Sequence, residues 1–209
     1  MGAQNQVDKP SVQIYMDELQ IALTDLQNPN TEIKELALDK IGTLKPDNAF
    51  DIILPFLNDV DPEVRGTAAC NLGYINDSKS IPYLIKLAET DSEEKVRSGA
   101  LSALGNYKSD EVLRCLLNEV YREKKSRGPR QIVAKQLQNY NNSKSLDTLT
   151  FLLLEDEDVY VRIFAADSLF VLNRSGLQSV WKQALEDNCT YVTEVAEKAI
   201  NNLQEIFKN

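Results

Sequence analysis

Histidine is absent from the 209-residue chain, which removes the side chain that most often serves as a general base or as a ligand of catalytic metals. The three cysteines, Cys70, Cys115 and Cys189, lie far apart and form no C-x-x-C pair, so neither a disulfide framework nor a zinc site is predicted. Glycine-rich phosphate loops and a G-x-S-x-G nucleophile motif are also missing. The sequence therefore offers little catalytic machinery, and no metal site is expected.

Long apolar runs are missing too, since none approaches the ~20 residues that a membrane-spanning helix needs. The first ten residues are polar and do not resemble a secretory signal, so we expect a cytoplasmic protein. Acidic residues outnumber basic residues by 32 to 23, which gives a formal net charge of -9. A chain of this charge repels phosphate backbones, and nucleic acid is not an expected partner.

What the sequence does contain is a helical phrase that recurs six times, at intervals of 31, 32, 33, 32 and 31 residues. The copies occupy residues 33–44, 64–75, 96–107, 129–140, 161–172 and 192–203. The second position is basic in the first five copies, as Lys34, Arg65, Arg97, Arg130 and Arg162, and is Thr193 in the sixth. Self-similarity at this period is typical of a solenoid of stacked helical pairs.

Each repeat divides into two apolar-periodic helices joined by a polar turn. In the second repeat the apolar residues of the second helix follow the spacing i, i+4, i+8, i+11 from Val64 to Ile75, which places them on one face. Asp61 before Pro62 predicts a helix N-cap. Gly73, like Gly42 and Gly105, is predicted to supply a left-handed turn at the end of its helix.

These patterns predict an all-α fold, a right-handed α-solenoid of about six helical pairs. Residues 1–12 are expected to form a flexible N-terminal tail, and residues 13–209 a single solenoid domain, because no linker interrupts the period.

The phrase D-x-x-V-R-x-x-A-x-x-x-L-G, seen best from Asp61 to Gly73, resembles HEAT repeats of the phycobilisome-lyase type. The resemblance covers nearly the whole chain. The junction at residues 45–50 and the size of the chain are similar to those of small cyanobacterial proteins that act on phycobiliproteins, as bilin lyase subunits or in phycobilisome degradation. Repeat four departs from the pattern, with residues 126–129 (SRGP) in place of the acidic turn.

This resemblance implies a protein-binding scaffold or adaptor whose favoured client is a phycobiliprotein. An alternative is a bilin lyase subunit, which would attach a phycobilin to a client cysteine mainly by holding both in place. No resident cofactor is expected; a lyase subunit would hold a bilin only transiently. A HEAT-like DNA glycosylase is the other enzymatic alternative, but it would need a basic, aromatic-lined groove, which the net charge disfavours.

The recurring basic residues have two interpretations. A row of guanidinium groups could grip phosphates or carboxylates. The favoured interpretation is a structural ladder, in which Arg65, Arg97, Arg130 and Arg162 pair with acidic turn residues, with Asp61 and Asp158 as the expected partners. The acidic run Glu155–Asp158 is interpreted as a solvated helix cap rather than as a catalytic pair.

A partner-binding surface is predicted on the outward face of the second helices. Taking the first position of each phrase as buried, the positions two, three and six residues later point away from the core. The candidates at these positions are Ile132, Lys135, Ile163, Phe164 and Asp167. The apolar members either form an exposed patch or pack against the neighbouring second helix.

A local basic segment is the other anomaly of repeat four. It consists of Arg122, Lys124, Lys125, Arg127 and Arg130, in a chain that is otherwise acidic. These cations either complement the dipole at the end of a helix or form a docking point for an acidic partner.

Overall fold

The computed structural model describes residues 9–122, 126–172 and 175–206, and within these ranges all regular structure is helical. In chain order the α-helices are α1 (Lys9–Asp25), α2 (Thr31–Leu44), α3 (Ala49–Ile53), α4 (Pro62–Ile75), α5 (Ile81–Thr90), α6 (Glu94–Leu104), α7 (Asp110–Val120), α8 (Arg127–Gln136), α9 (Ser143–Glu155), α10 (Val159–Leu172), α11 (Gln178–Ala184) and α12 (Thr190–Ile206). Each even-numbered helix contains most of one recurring phrase and packs on the odd-numbered helix before it. The predicted all-α solenoid fold of six helical pairs is confirmed.

The chain divides into two compact parts, one ending at Asn106 and the other beginning at Tyr107. We call them the N-terminal half, which holds α1–α6, and the C-terminal half, which holds α7–α12. The expectation of one domain over residues 13–209 stays a prediction. Helix α1 begins at Lys9, so the last four residues of the predicted tail are helical.

In the N-terminal half, α4 packs between α2 and α6. Small side chains make this close approach possible: Ala37, Ala68 and Ala100 hold the same position in the three phrases and are all buried. In the C-terminal half α10 contacts α8 and α12, and Val133, Ala165 and Ala196 hold this position, each fully buried.

The predicted role of the glycines is wrong. None of the described glycines has a positive φ; the left-handed residues that end α2 and α4 are Lys45 and Asn76, with φ of 47° and 58°. Gly73 lies inside α4 instead, where a Cβ atom would stand 2.6 Å from the Cβ of Ala103. Glycine is needed there because α6 passes too close for any side chain.

The predicted cap of α4 is confirmed, since the Asp61 carboxylate accepts a hydrogen bond of 2.9 Å from the backbone amide of Glu63. Asp158 makes the equivalent contact in the C-terminal half, where it accepts from the amides of Tyr160 and Val161. Asp61 and Asp158 therefore each cap the N-terminus of the second helix of their repeat, α4 and α10.

Candidate partner-binding surface

In four of the repeats, the basic residue at the second position of the phrase reaches forward to an aspartate in the turn of the next repeat. In the N-terminal half, Lys34 Nζ lies 3.0 Å from Asp59 Oδ2. Arg65 donates to both carboxylate oxygens of Asp91, through Nε at 2.8 Å and Nη2 at 3.0 Å. The Nη1 atom of Arg65 also donates to the carbonyl of Asp59 at 2.9 Å, so this guanidinium joins two successive turns.

The same geometry recurs in the C-terminal half. Arg130 donates to Asp156 at 2.8 and 3.2 Å, and Arg162 donates to Asp187 at 2.7 and 3.2 Å. These bidentate pairs are largely buried, since the Arg130 side chain is 4% exposed and that of Arg162 is 12% exposed. Two parallel N–H···O bonds fix the orientation of both partners, as is typical of arginine–carboxylate pairs.

The acids of this ladder differ from those expected, because Asp61 and Asp158 are helix caps. Asp61 also accepts a hydrogen bond from Thr31 Oγ1 at 2.5 Å, and Asp158 accepts one from Gln131 Nε2 at 3.0 Å. A carboxylate that caps a helix is turned towards the amides of that helix. The arginines therefore meet aspartates that lie before the caps, such as Asp91 and Asp156.

The ladder changes the acidity of its members. Burial by itself would raise the pKa of Asp91, but the hydrogen bonds from Arg65 and from the Glu93 amide outweigh it and lower that pKa below its ordinary value. The hydrogen bond with Asp91 in turn raises the pKa of Arg65. Arg97 is also buried and donates to the carbonyls of Asp91 and Ser92, both at 3.1 Å. These guanidinium groups hold turns in place through carboxylate and carbonyl partners.

Three members of the predicted basic segment are described, and each has an acidic partner. Arg130 is buried in the ladder, Arg122 Nη1 lies 3.1 Å from Glu119 Oε2, and Arg127 Nη1 lies 3.8 Å from Asp158 Oδ2. Lys124 and Lys125 lie outside the described residues. The described cations of this segment thus have acidic neighbours of their own.

The predicted apolar patch lies on α8 and α10. Ile132, Ile163 and Phe164 are half-buried, and Lys135 on α8 is exposed. Asp167 accepts a hydrogen bond of 3.0 Å from the hydroxyl of Tyr191, which extends from α12. The hydrogen bond with Asp167 raises the pKa of Tyr191. This contact joins the second helices of repeats five and six.

Two exposed tyrosines that sequence reasoning missed enlarge this patch. Tyr160 is 59% exposed and Tyr191 is 47% exposed, and each stands one position before the first residue of its phrase. Tyr160 is four residues before Phe164, so the two rings share one face of α10. We call Tyr160, Ile163, Phe164 and Tyr191 the aromatic face.

The signal for these tyrosines was present in the repeat alignment. The column before the leading residue holds Glu32, Glu63 and Lys95 in the N-terminal half, where Glu63 and Lys95 form an ion pair. The same column holds Gly128, Tyr160 and Tyr191 in the C-terminal half. Because this column is charged in the first three repeats and aromatic in the last two, it indicates that the surface of repeats five and six differs in function from that of the first three.

No described helix has the length and hydropathy needed to cross a membrane. The part of the chain that the structure describes also brings together no group of three side chains suited to holding a metal ion. Its distinguishing surface features are aromatic side chains and ion pairs.

These observations define a helical-repeat protein of the α-solenoid class. HEAT repeats match residues 18–105 and 50–127, together more than half of the chain, and the chain belongs to the HEAT-repeat family. The predicted resemblance to HEAT repeats is thereby confirmed. A comparison with curated protein sequences finds no match.

Solved structures share the fold at low sequence identity. The chain is similar to a chain in the complex of CpcE and CpcF of phycocyanin lyase from Nostoc sp. PCC7120, with 19% identity, a TM-score of 0.64, and coverage of 95% of this chain and 79% of that one. It is also similar to an engineered protein, with 17% identity, a TM-score of 0.57, and coverage of 90% and 97%. At these identities the likeness shows the fold.

Proposed function

We propose that this chain is a non-catalytic HEAT-repeat binding protein of the cytoplasm whose client is a phycobiliprotein. The form of the repeats and the likeness in fold to a chain of the phycocyanin lyase complex support this choice of client. The absence of histidine supports a binding role, because the chain lacks the commonest general base.

The observation that carries the proposal is the aromatic face. Tyrosine and phenylalanine are enriched in the cores of protein interfaces, where their rings bury a large area at little entropic cost. Tyr160 and Tyr191 are exposed beside the half-buried Ile163 and Phe164. Asp167 on α10 and Lys135 on α8, a helix that contacts α10, would supply polar contacts at the rim. The corresponding columns of the N-terminal half contain mainly charged and small side chains.

A bilin lyase subunit is the second candidate, favoured by the fold likeness to a chain of a lyase complex. Such a subunit could act by holding a bilin and a client cysteine together, which requires few reactive side chains. The two candidates differ in one property: a lyase subunit would change the absorbance spectrum of free phycocyanobilin, whereas an adaptor would not.

The double variant Tyr160→Ser with Phe164→Ser tests the aromatic face. We expect it to weaken binding of phycocyanin by about tenfold or more, because interface energy concentrates in a few aromatic anchors. The matched control is Val171→Ser with Leu185→Ser, which removes two exposed apolar side chains elsewhere in the C-terminal half. Binding is measured by fluorescence titration with the full chain.

Circular dichroism and thermal unfolding show whether both variants remain folded. If the aromatic-face variant folds and binds as tightly as the control, the client is recognised elsewhere. If it unfolds, the single variant Tyr160→Ser replaces it in the binding measurement, since the Tyr160 ring is the most exposed of the aromatic face.

A further inference from the structure

A groove lies beside one Arg–Asp pair in each half of the chain. In the N-terminal half a cavity of about 710 Å³ is lined by Tyr83, Lys86, Thr90 and Ser92, with Arg65 and Asp91 among its walls. In the C-terminal half a cavity of about 250 Å³ is lined by Val120, Tyr121, Phe151, Glu155 and Glu157, with Arg130 and Asp156. We call the second one the acidic groove.

The two grooves occupy equivalent places two repeats apart. The ladder pair Arg65–Asp91 corresponds to Arg130–Asp156, both separated by 26 residues. In the same register, Lys86, Thr90 and Ser92 are replaced by Phe151, Glu155 and Glu157. The fold therefore builds this groove and its ladder pair without a phenylalanine or a glutamate at these three positions. The chemistry of the acidic groove is additional to what the fold needs.

The acidic groove carries an excess of negative charge. Its walls include three carboxylates and one guanidinium, and that guanidinium is bound to Asp156. Glu155 and Glu157 are exposed and form no ion pair with any residue that the structure describes. The described cations nearby in the sequence, Arg122 and Arg127, lie against Glu119 and Asp158.

Two aromatic rings complete the walls. The centroids of Tyr121 and Phe151 lie 6.1 Å apart with an angle of 34° between the rings, and the side chains are 70% and 42% exposed. The face of an aromatic ring attracts cations, and arginine in particular stacks on it. Exposed rings beside unpaired carboxylates are suited to a group that is both cationic and partly apolar.

We propose that the acidic groove binds an arginine or lysine side chain of a partner protein. The aliphatic stem would lie against Phe151 and Val120, and the charged head would meet Glu155 and Glu157. Nucleic acid and anionic ligands are repelled by the same carboxylates. The proposed site is distinct from the aromatic face and does not depend on the identity of the client.

A peptide titration of the full chain tests this site. The probe is acetyl-Gly-Leu-Arg-Leu-Gly-amide, and its control is the same peptide with citrulline, which is nearly isosteric with arginine but uncharged. Backbone amide shifts are followed by two-dimensional NMR. We expect shifts at Tyr121, Phe151 and Glu155, and binding of the arginine peptide about fivefold tighter than that of the citrulline peptide.

The variant Glu155→Gln with Glu157→Gln should abolish the difference between the two peptides. The control variant, Glu89→Gln with Glu111→Gln, removes the same number of exposed charges outside the acidic groove and should keep it. The proposal is overturned if the citrulline peptide binds equally well, if the shifts fall equally on Tyr83 and Lys86, or if no shift occurs up to about 10 mM peptide.

Discussion

At the scale of single residues, two glycines of one helix show opposite requirements. Gly66 and Gly73 both lie in α4. A Cβ atom added to Gly66 would meet nothing within 4 Å, whereas one added to Gly73 would stand 2.6 Å from the Cβ of Ala103 and 2.7 Å from its Cα. The first glycine is replaceable, and the second sets the distance between α4 and α6.

We predict that Gly73→Ala lowers the free energy of unfolding by about 1–3 kcal/mol, because backbone must shift to admit the methyl group. Gly66→Ala should instead raise it by about 0.5–1 kcal/mol, since alanine is the better helix former and space is available. Urea unfolding of the two variants measures both effects. Equal effects of the same sign would contradict the packing assigned to Gly73.

The sequence could not distinguish these two glycines. Gly73 was predicted to end its helix, because a glycine late in a helical pattern is usually a left-handed cap. The asparagine at 76 takes that conformation, and the contact that requires glycine comes from a residue 30 positions later. Such contacts become visible only when neighbouring helices are placed together.

At the scale of helices, the ladder joins α2, α4, α8 and α10 to the turn of the next repeat within the same half. The acid of each pair also accepts a hydrogen bond from the amide two residues ahead, as Asp91 does from Glu93 and Asp156 from Asp158. One carboxylate thus fixes its own turn and the preceding basic side chain. A repeated contact of this kind keeps successive helical pairs in the same register.

We predict that Asp91→Asn lowers the free energy of unfolding at pH 7 by about 1–3 kcal/mol, because Arg65 loses the partner of a largely buried pair. The pKa of Asp91 is lower in the folded chain than in the unfolded chain. Its contribution is therefore complete above about pH 4 and is lost as the pH falls through the lowered folded value.

Urea unfolding of the natural chain and of Asp91→Asn at pH 7 and near pH 3 checks this linkage. The difference between the two chains should shrink in acid. A difference that stays constant across this range would mean that the carboxylate charge of Asp91 does not stabilise the fold.

Much of this arrangement could be predicted. The 32-residue period gave the six second helices, and the basic second position indicated a ladder. The choice of acid could not be derived, because the turns of repeats two, three and five each offer two or more carboxylates and only the geometry decides which one caps the helix. Asp61 and Asp158 were expected in the ladder for this reason and are caps instead.

The aromatic face was predicted in part. Ile163 and Phe164 follow from the outward positions of the phrase, and the structure places both on α10 in half-buried positions. Tyr160 and Tyr191 each lie one position before the phrase, so they are not among the outward positions counted from its first residue. The acidic groove was harder still to predict from the sequence, because its walls come from the end of α7, from α8, from α9 and from the turn after α9.

At the scale of the whole molecule, the two halves share one repeat architecture but differ in the side chains at their outward positions. Both halves use the same ladder and bury alanine in the same column of the phrase, with Val133 as the exception. In the columns where the C-terminal half carries aromatic residues, the N-terminal half carries mainly polar and small ones, with Leu36 as the exception. In a repeat protein such differences fall on surfaces, since the stacking of the repeats leaves the outward positions free to vary.

Calorimetric titration of phycocyanin into the full chain tests the proposed client most directly. We predict saturable binding with a dissociation constant of about 1 μM, the range expected for a transient interface of moderate size. The affinity should be retained by the Val171→Ser, Leu185→Ser control. Absence of binding at about 100 μM phycocyanin would contradict the account.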